Sequence, residues 1–154
     1  MTPKPVDTGG VEGGDVAAML AEFHDVFGIE DAERREISGV LLGEESVEAV
    51  EAIDGWITAD PESQFRADSL HYIAGELADV VYVAYGTAQA FGINLDTAIA
   101  EVHRANMSKL DTDGNPIKRE DGKVLKGPNF SPPNMTAALT EKPTDSMGGE
   151  KDKE

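Results

Sequence analysis

Between Gln64 and Phe91 the apolar residues Leu70, Ile73, Leu77, Val80 (or Val81), Ala84, Ala88 and Phe91 recur every three or four positions. That interval lays side chains along one face of an α-helix. Gly92 closes the stripe, in the place where a glycine commonly ends a helix. A second helical stretch, from about Asp31 to Ile57, precedes it across an Asp60-Pro61 turn. Each would be roughly 27 residues long, against an average helix of about 11–12. A chain of 154 residues that contains two such rods folds as a helical bundle, or shares them in a dimer core.

Shorter elements flank the rods. Asp15 is placed to cap a first helix with apolar positions Val16, Met19, Leu20, Phe23 and Phe27, and Gly28 to stop it. A fourth helix is expected over about Leu95 to Met107. Beyond it the pattern changes: Asp113-Gly114-Asn115-Pro116 is turn chemistry, and Ile117–Arg119 with Lys123–Leu125 flank Glu120-Asp121-Gly122 as a small β-hairpin. Residues 1–14, with four glycines and two prolines, read as a disordered arm, 15–134 as the folded domain and 135–154 as a polar tail.

Composition narrows the chemistry. There is no cysteine, which removes disulfides, thiol nucleophiles and cysteine-ligated metals and suits a reducing compartment. No apolar run approaches the ~20 residues of a membrane span, and the first residues lack a hydrophobic signal core. A soluble cytoplasmic protein is expected, with no membrane partner. The net charge of −17 repels phosphate backbones and disfavours a nucleic-acid polymer as ligand. Six of the 13 bases nevertheless fall between Arg104 and Lys126, leaving the rest of the chain more acidic still.

The acids are arranged, not scattered. On the second helix Glu44, Glu48 and Glu45 lie at about 0°, 40° and 100° around the axis, where the row Ile37, Leu41 calls for further core residues. On the third, Glu76 and Asp79 sit about 60° apart beside the apolar stripe. Two antiparallel helices would face all five acids into one site. Crowded carboxylates raise one another's pKa, and a buried unpaired one is strongly destabilising. Few bases are near enough to neutralise them; Arg34 and Arg35 are the nearest upstream. Hard divalent cations relieve the repulsion, and an all-oxygen donor set suits magnesium or manganese. A solvated acidic helix face is the plain alternative.

Glu44-Glu45-x-x-Glu48, followed 28 residues on by Glu76-x-x-Asp79, resembles the EExxE…ExxD signature of the all-α nucleoside triphosphate pyrophosphohydrolases. That superfamily includes the MazG proteins, the dimeric dUTPases, the dCTP pyrophosphatases and phosphoribosyl-ATP pyrophosphohydrolase. The stretch from Glu76 to Ala88, then Val102-His103-Arg104-Ala105-Asn106-Met107-Ser108-Lys109-Leu110 and Arg119-Glu120-Asp121-Gly122-Lys123-Val124-Leu125-Lys126-Gly127, is similar to MazG-like proteins often labelled phosphoribosyl-ATP pyrophosphohydrolase-like. Glu22-Phe23-His24 with Phe27-Gly28 fits as well, so the likeness runs over about residues 15–133. It implies a mainly all-α fold: a four- to five-helix MazG-like bundle with a small C-terminal β-hairpin and helices shared in a homodimer core. It also implies hydrolysis of a nucleoside triphosphate to the monophosphate and pyrophosphate, with two or more magnesium ions (manganese possible) per site. Glu45, Glu48, Glu76 and Asp79 would be ligands, and Glu44 would bind metal or activate the attacking water. Among substrates the likeness favours dUTP, then dCTP, then a broad house-cleaning range, with phosphoribosyl-ATP as the alternative.

The basic segment then acquires a role. Lys109, Lys123 and Lys126, with Asn106, are placed to hold the triphosphate opposite the metals. His103 is a candidate for stacking on a base, although a histidine inside a helix is more often structural; His24 and His71 read as structural, and Trp56 as packing. Asp111-x-Asp113-x-Asn115 opens like a calcium loop but has Gly122 where a bidentate acid is required. A di-iron bundle would need a Glu-x-x-His on each of two helices, and the chain offers one Asp68-x-x-His71. A non-catalytic module, whose acids hold a structural cation or bind a basic partner, is the remaining alternative.

Overall fold

A computed structural model describes residues 14–140. The helices, in chain order, are α1 (Val16–Phe27), α2 (Asp31–Thr58), α3 (Gln64–Ala90), α4 (Leu95–Met107) and α5 (Thr136–Thr140). The fold is mostly helical, as the periodicity predicts, and each boundary has a local cause. Asp15 accepts from the Ala18 amide at 3.2 Å, Ser63 from Arg66 at 3.2 Å and Asn94 from Thr97 at 3.1 Å, so α1, α3 and α4 each begin on a side-chain cap. The first turn of α2 carries Asp31 and Glu33, whose charge complements the positive end of the helix dipole. Gly28 ends α1 in the left-handed region (φ 62°), and the Ile29 amide donates back to His24 O at 3.0 Å.

The long pair α2 and α3 dominates the packing, joined by the short turn of residues 59–63 that Asp60-Pro61 announces. Trp56, expected to pack, lies at this end with the Arg66 guanidinium 3.9 Å above its ring. Helix α1 crosses α3 at Gly86, where an added Cβ would lie 3.3 Å from Leu20 Cδ1. The buried apolar set is small: Leu20, Ala49, Ala88, Ala90, Ala105 and Ala138. Leu70 and Leu77, both members of the predicted stripe on α3, stay about half exposed at 52% and 47%. Val40, Val47 and Val50 on α2 are exposed too. The stripe is therefore only partly covered among the described residues, and none of the described helices is long and apolar enough to cross a membrane.

The C-terminal part departs from the expectation in two ways. Where a β-hairpin is predicted, the pairing amounts to one antiparallel bridge, Lys118 with Val124, flanked by Arg119 N to Lys123 O (2.9 Å) and Leu125 N to Ile117 O (2.8 Å). No sheet forms among the described residues. Pro116 and the Gly127-Pro128 pair leave arms too short for strands of the usual five or six residues. The second departure is α5, inside the stretch read as a polar tail. Ala138 is buried there, and its carbonyl accepts from the Asn94 amide at 2.8 Å, which ties residues 136–140 to the start of α4. Residues 1–13 of the expected arm and 141–154 of the tail lie outside the described residues.

Candidate active site

The acids of α2 and α3 meet where the two rods pack together. Ala49, buried at 5% exposure, is the small side chain that lets the helices approach beside Glu48. Glu45, Glu76 and Asp79 each bring a carboxylate oxygen to within 4.8 Å of the others. Glu45 and Glu76 are half-buried and Asp79 is exposed. Glu48 adds a fourth carboxyl, close enough to raise that of Glu76. Glu44 lies further round α2, exposed in a shallow groove that Glu48, exposed too, lines with Val40, Val47 and Glu51. The structure thus gathers Glu45, Glu48, Glu76 and Asp79 and leaves Glu44 at the rim.

Electrostatics marks the same centre. The Glu45 carboxyl is pushed above its ordinary range, first by partial desolvation and then by Asp79, Glu48 and Glu44. Glu76 is raised for the same first reason, followed by Glu48, Asp79 and Glu45. Like charges held this close favour protonation unless a cation takes the proton's place. The donor set is all carboxylate oxygen, which fits a hard divalent cation and offers nothing to a soft one. The residues present fit the metal ions that the fold family implies.

The basic candidates occupy a different element. Lys109 Nζ donates to Asn106 Oδ1 at 2.7 Å, and Lys126 Nζ lies 4.3 Å above the Phe130 ring. Gly127 joins them: its amide donates to Lys109 O at 2.9 Å, and an added Cβ would fall 2.2 Å from Leu110 O. Only glycine permits that approach, which holds the backbone following Lys126 against that of Lys109. Lys123 stands exposed at the turn. These partners lie within the 106–131 segment, not among the acids of α2 and α3. His71 and His103 are exposed.

Sequence reasoning passed over one feature. Arg34, Ser38 and Leu41 on α2 face Tyr82, Val83 and Thr87 on α3, and with Phe23 and His24 of α1 they line a half-open cleft of about 150 Å³. The signal was a base, Arg34, standing one turn before Ile37 in the apolar row that leads through Leu41 to Glu45. His24, read as structural, accepts from Arg34 Nη1 at 2.5 Å on this wall.

The family model of phosphoribosyl-ATP pyrophosphohydrolase matches residues 20–106. The matched stretch is more than half of the chain and holds all five acids, so a MazG-like all-α nucleoside triphosphate pyrophosphohydrolase is what the fold and site define. The chain belongs to the phosphoribosyl-ATP pyrophosphohydrolase family. It is therefore an enzyme, a pyrophosphohydrolase, and the alternative of a non-catalytic acidic module gives way. The match also reverses the substrate order implied by resemblance alone: the family's own name favours phosphoribosyl-ATP over dUTP. No curated protein matches the chain.

Proposed function

We propose that the protein hydrolyses the bond between the α- and β-phosphates of a nucleoside triphosphate, with divalent cations, magnesium foremost, held by Glu45, Glu48, Glu76 and Asp79. The observation that carries this reading is the convergence of Glu45, Glu76 and Asp79 within 4.8 Å. Such cations, when bound, would stabilise the developing charge and acidify water. The chain's own carboxylates do the rest. Glu44, at the rim, takes the proton from water as its oxygen bonds to the α-phosphorus. The bond from that phosphorus to the bridging oxygen breaks, and pyrophosphate departs with the electron pair. Lys109, Lys123 and Lys126 neutralise the phosphates, and the Asn106 amide donates a hydrogen bond to them.

In one subunit those bases find their partners away from the acids. The half-exposed stripe of Leu70 and Leu77, with Val47 and Val50 exposed on α2, supports a homodimer in which a second copy covers the stripe. Phosphoribosyl-ATP is the substrate supported by the family match. The second reading is dUTP or another pyrimidine deoxynucleotide. What favours it is that Lys109, Lys123 and Lys126 lie beyond the matched residues 20–106, which end at Asn106, so these three bases are additional to the matched core.

Phosphorus NMR of the products tests the reaction. Pyrophosphate and a monophosphate are expected, abolished by chelator and restored by magnesium. Release of single orthophosphates would overturn the reaction class.

A further inference from the structure

Residues 127–135 form neither helix nor strand, yet they follow α4 from end to end. The Gly127 amide donates to Lys109 O at 2.9 Å, and at the far end Ala138 O accepts from the Asn94 amide at 2.8 Å. Between these points Ser108 Oγ accepts from the Ser131 amide at 3.0 Å and Arg104 Nη2 donates to Pro132 O at 2.9 Å. Glu101 Oε2 accepts from the Asn134 amide at 3.0 Å. The chain runs from Gly127 to Ala138 while its partners run back from Lys109 to Asn94, so the segment is a strap laid antiparallel on the helix. Glu101, Arg104 and Ser108 are spaced to share one face of α4.

These bonds supply what the strap cannot make for itself. Pro128, Pro132 and Pro133 have no amide hydrogen, and the amides of Ser131 and Asn134 are both met by α4 side chains. Arg104 is the centre of the fastening. Its Nε and Nη2 donate to the Glu101 carboxylate at 3.0 Å each, and the second Nη2 hydrogen goes to Pro132 O. Three of the guanidinium's five donors are thereby committed, and Glu101 neutralises its charge. Such a group has little left to offer a phosphate. Lys126 is different: its ammonium lies 4.3 Å above the ring of Phe130, which the strap carries next to the pinned Ser131.

We propose that Arg104 is a positioning residue for the phosphate grip: with Glu101 and Ser108 it pins the strap, and the strap's Phe130 holds the Lys126 ammonium in place. The proposal rests on the reading above that Lys126 binds phosphate. A lysine stem has many rotamers, so an ammonium ordered in advance over a ring gives up less freedom when an anion arrives. The pinning depends on the planar fork more than on charge, because one group must meet a carboxylate and a carbonyl together. The contribution of Arg104 to phosphate binding is therefore indirect, and it passes through Lys126.

Calorimetric titration of the intact protein with inorganic triphosphate and magnesium tests this without turnover. Arg104→Ala should weaken binding about tenfold, the usual scale for loss of charged hydrogen bonds. Arg104→Lys keeps the charge but not the fork and should weaken it as much, whereas lysine would largely rescue a direct phosphate ligand. Lys126→Gln should weaken binding to a similar degree, and adding Arg104→Ala to it should cost no more than about a further twofold, since the two act through one contact. NMR gives a second readout. The Lys126 ε-methylene protons, held over the Phe130 ring, should lie upfield of those of the other lysines; Arg104→Ala should abolish that shift and the milder Ser108→Ala reduce it. Full affinity in Arg104→Lys, multiplied losses in the double variant, or an unmoved Lys126 signal overturns the positioning role and leaves the lysine grip standing. Undiminished binding in Lys126→Gln overturns the grip itself, and the inference with it.

Discussion

Glu76 on α3 faces Glu48 on α2 across the seam between the two rods, and after partial desolvation Glu48 is the foremost charge that raises the Glu76 carboxyl. Like charges held face to face raise the pKa of the carboxyl that must bear them. With Glu45 and Asp79 beside them, the cluster holds a proton or a cation more readily than it stands bare.

A divalent cation should therefore stabilise the fold. An ion that binds only the folded state adds about 2.7 kcal/mol at a hundredfold excess over Kd, which is roughly 5–10 °C in melting temperature for a chain of this length. Magnesium and manganese should both produce the rise at neutral pH, and Glu76→Gln should remove most of it. An equal rise with sodium at matched ionic strength would mean that only the −17 charge is being screened. Without metal the sign is different. Glu45 and Glu76 are raised above 4.5 in the folded state, so their favourable contribution is complete below about pH 4.5 and is lost as pH climbs through the raised values. Thermal melts with chelator should show stability increasing as pH falls from neutral towards 4.5, while the increment due to magnesium shrinks in the same direction as protons compete for the ligands.

Charge removal at the site should separate chemistry from folding. Glu48→Gln and Asp79→Asn are each expected to lower kcat/KM by on the order of 100-fold or more, as loss of a metal-binding carboxylate does. Far-ultraviolet circular dichroism should stay unchanged, because neither side chain supports the helices. An unaltered rate in both variants would place the reaction elsewhere.

Tyr85 and Asp96 predict an alkaline transition. The Tyr85 hydroxyl donates to Asp96 Oδ1 at 2.5 Å, and this bond, followed by partial burial, raises the phenol to about 12. A raised phenol contributes stability that is complete below about pH 10 and lost as pH passes through about 12. Ultraviolet titration should show one of the three tyrosines ionising later than the others, with the α3–α4 junction loosening as it does. Tyr85→Phe should remove the late step.

Leu70 offers the simplest test of assembly. It lies on the α3 stripe yet is 52% exposed, so Leu70→Asp should leave the isolated subunit folded. If a second copy covers that face, the variant should move from dimer to monomer in light scattering at micromolar concentration, because a desolvated, unpaired carboxylate is strongly destabilising at an interface. A wild-type monomer at that concentration would end the dimer reading.

The extents of α1 to α4 were legible in the sequence because their determinants are local. A cap bonds an amide three residues on, a glycine accepts the left-handed turn, and an apolar stripe repeats every three or four residues. The acids were legible for the same reason, since Glu45 and Glu48, like Glu76 and Asp79, are neighbours on a single helix whatever surrounds it. Tertiary structure decided the rest. The register of α2 against α3 gathers Glu45, Glu48, Glu76 and Asp79 and leaves Glu44 at the rim, although spacing alone treats the three α2 acids alike. It also brings Arg34 and Thr87, remote in sequence and unremarkable there, to one cleft. The hairpin shrank to a single bridge, and Ala138 was buried against the start of α4, because both depend on what lies across from a segment rather than within it. Local hydrogen bonds are written in runs of three or four residues; which surfaces come to face each other is fixed by the packing of whole helices.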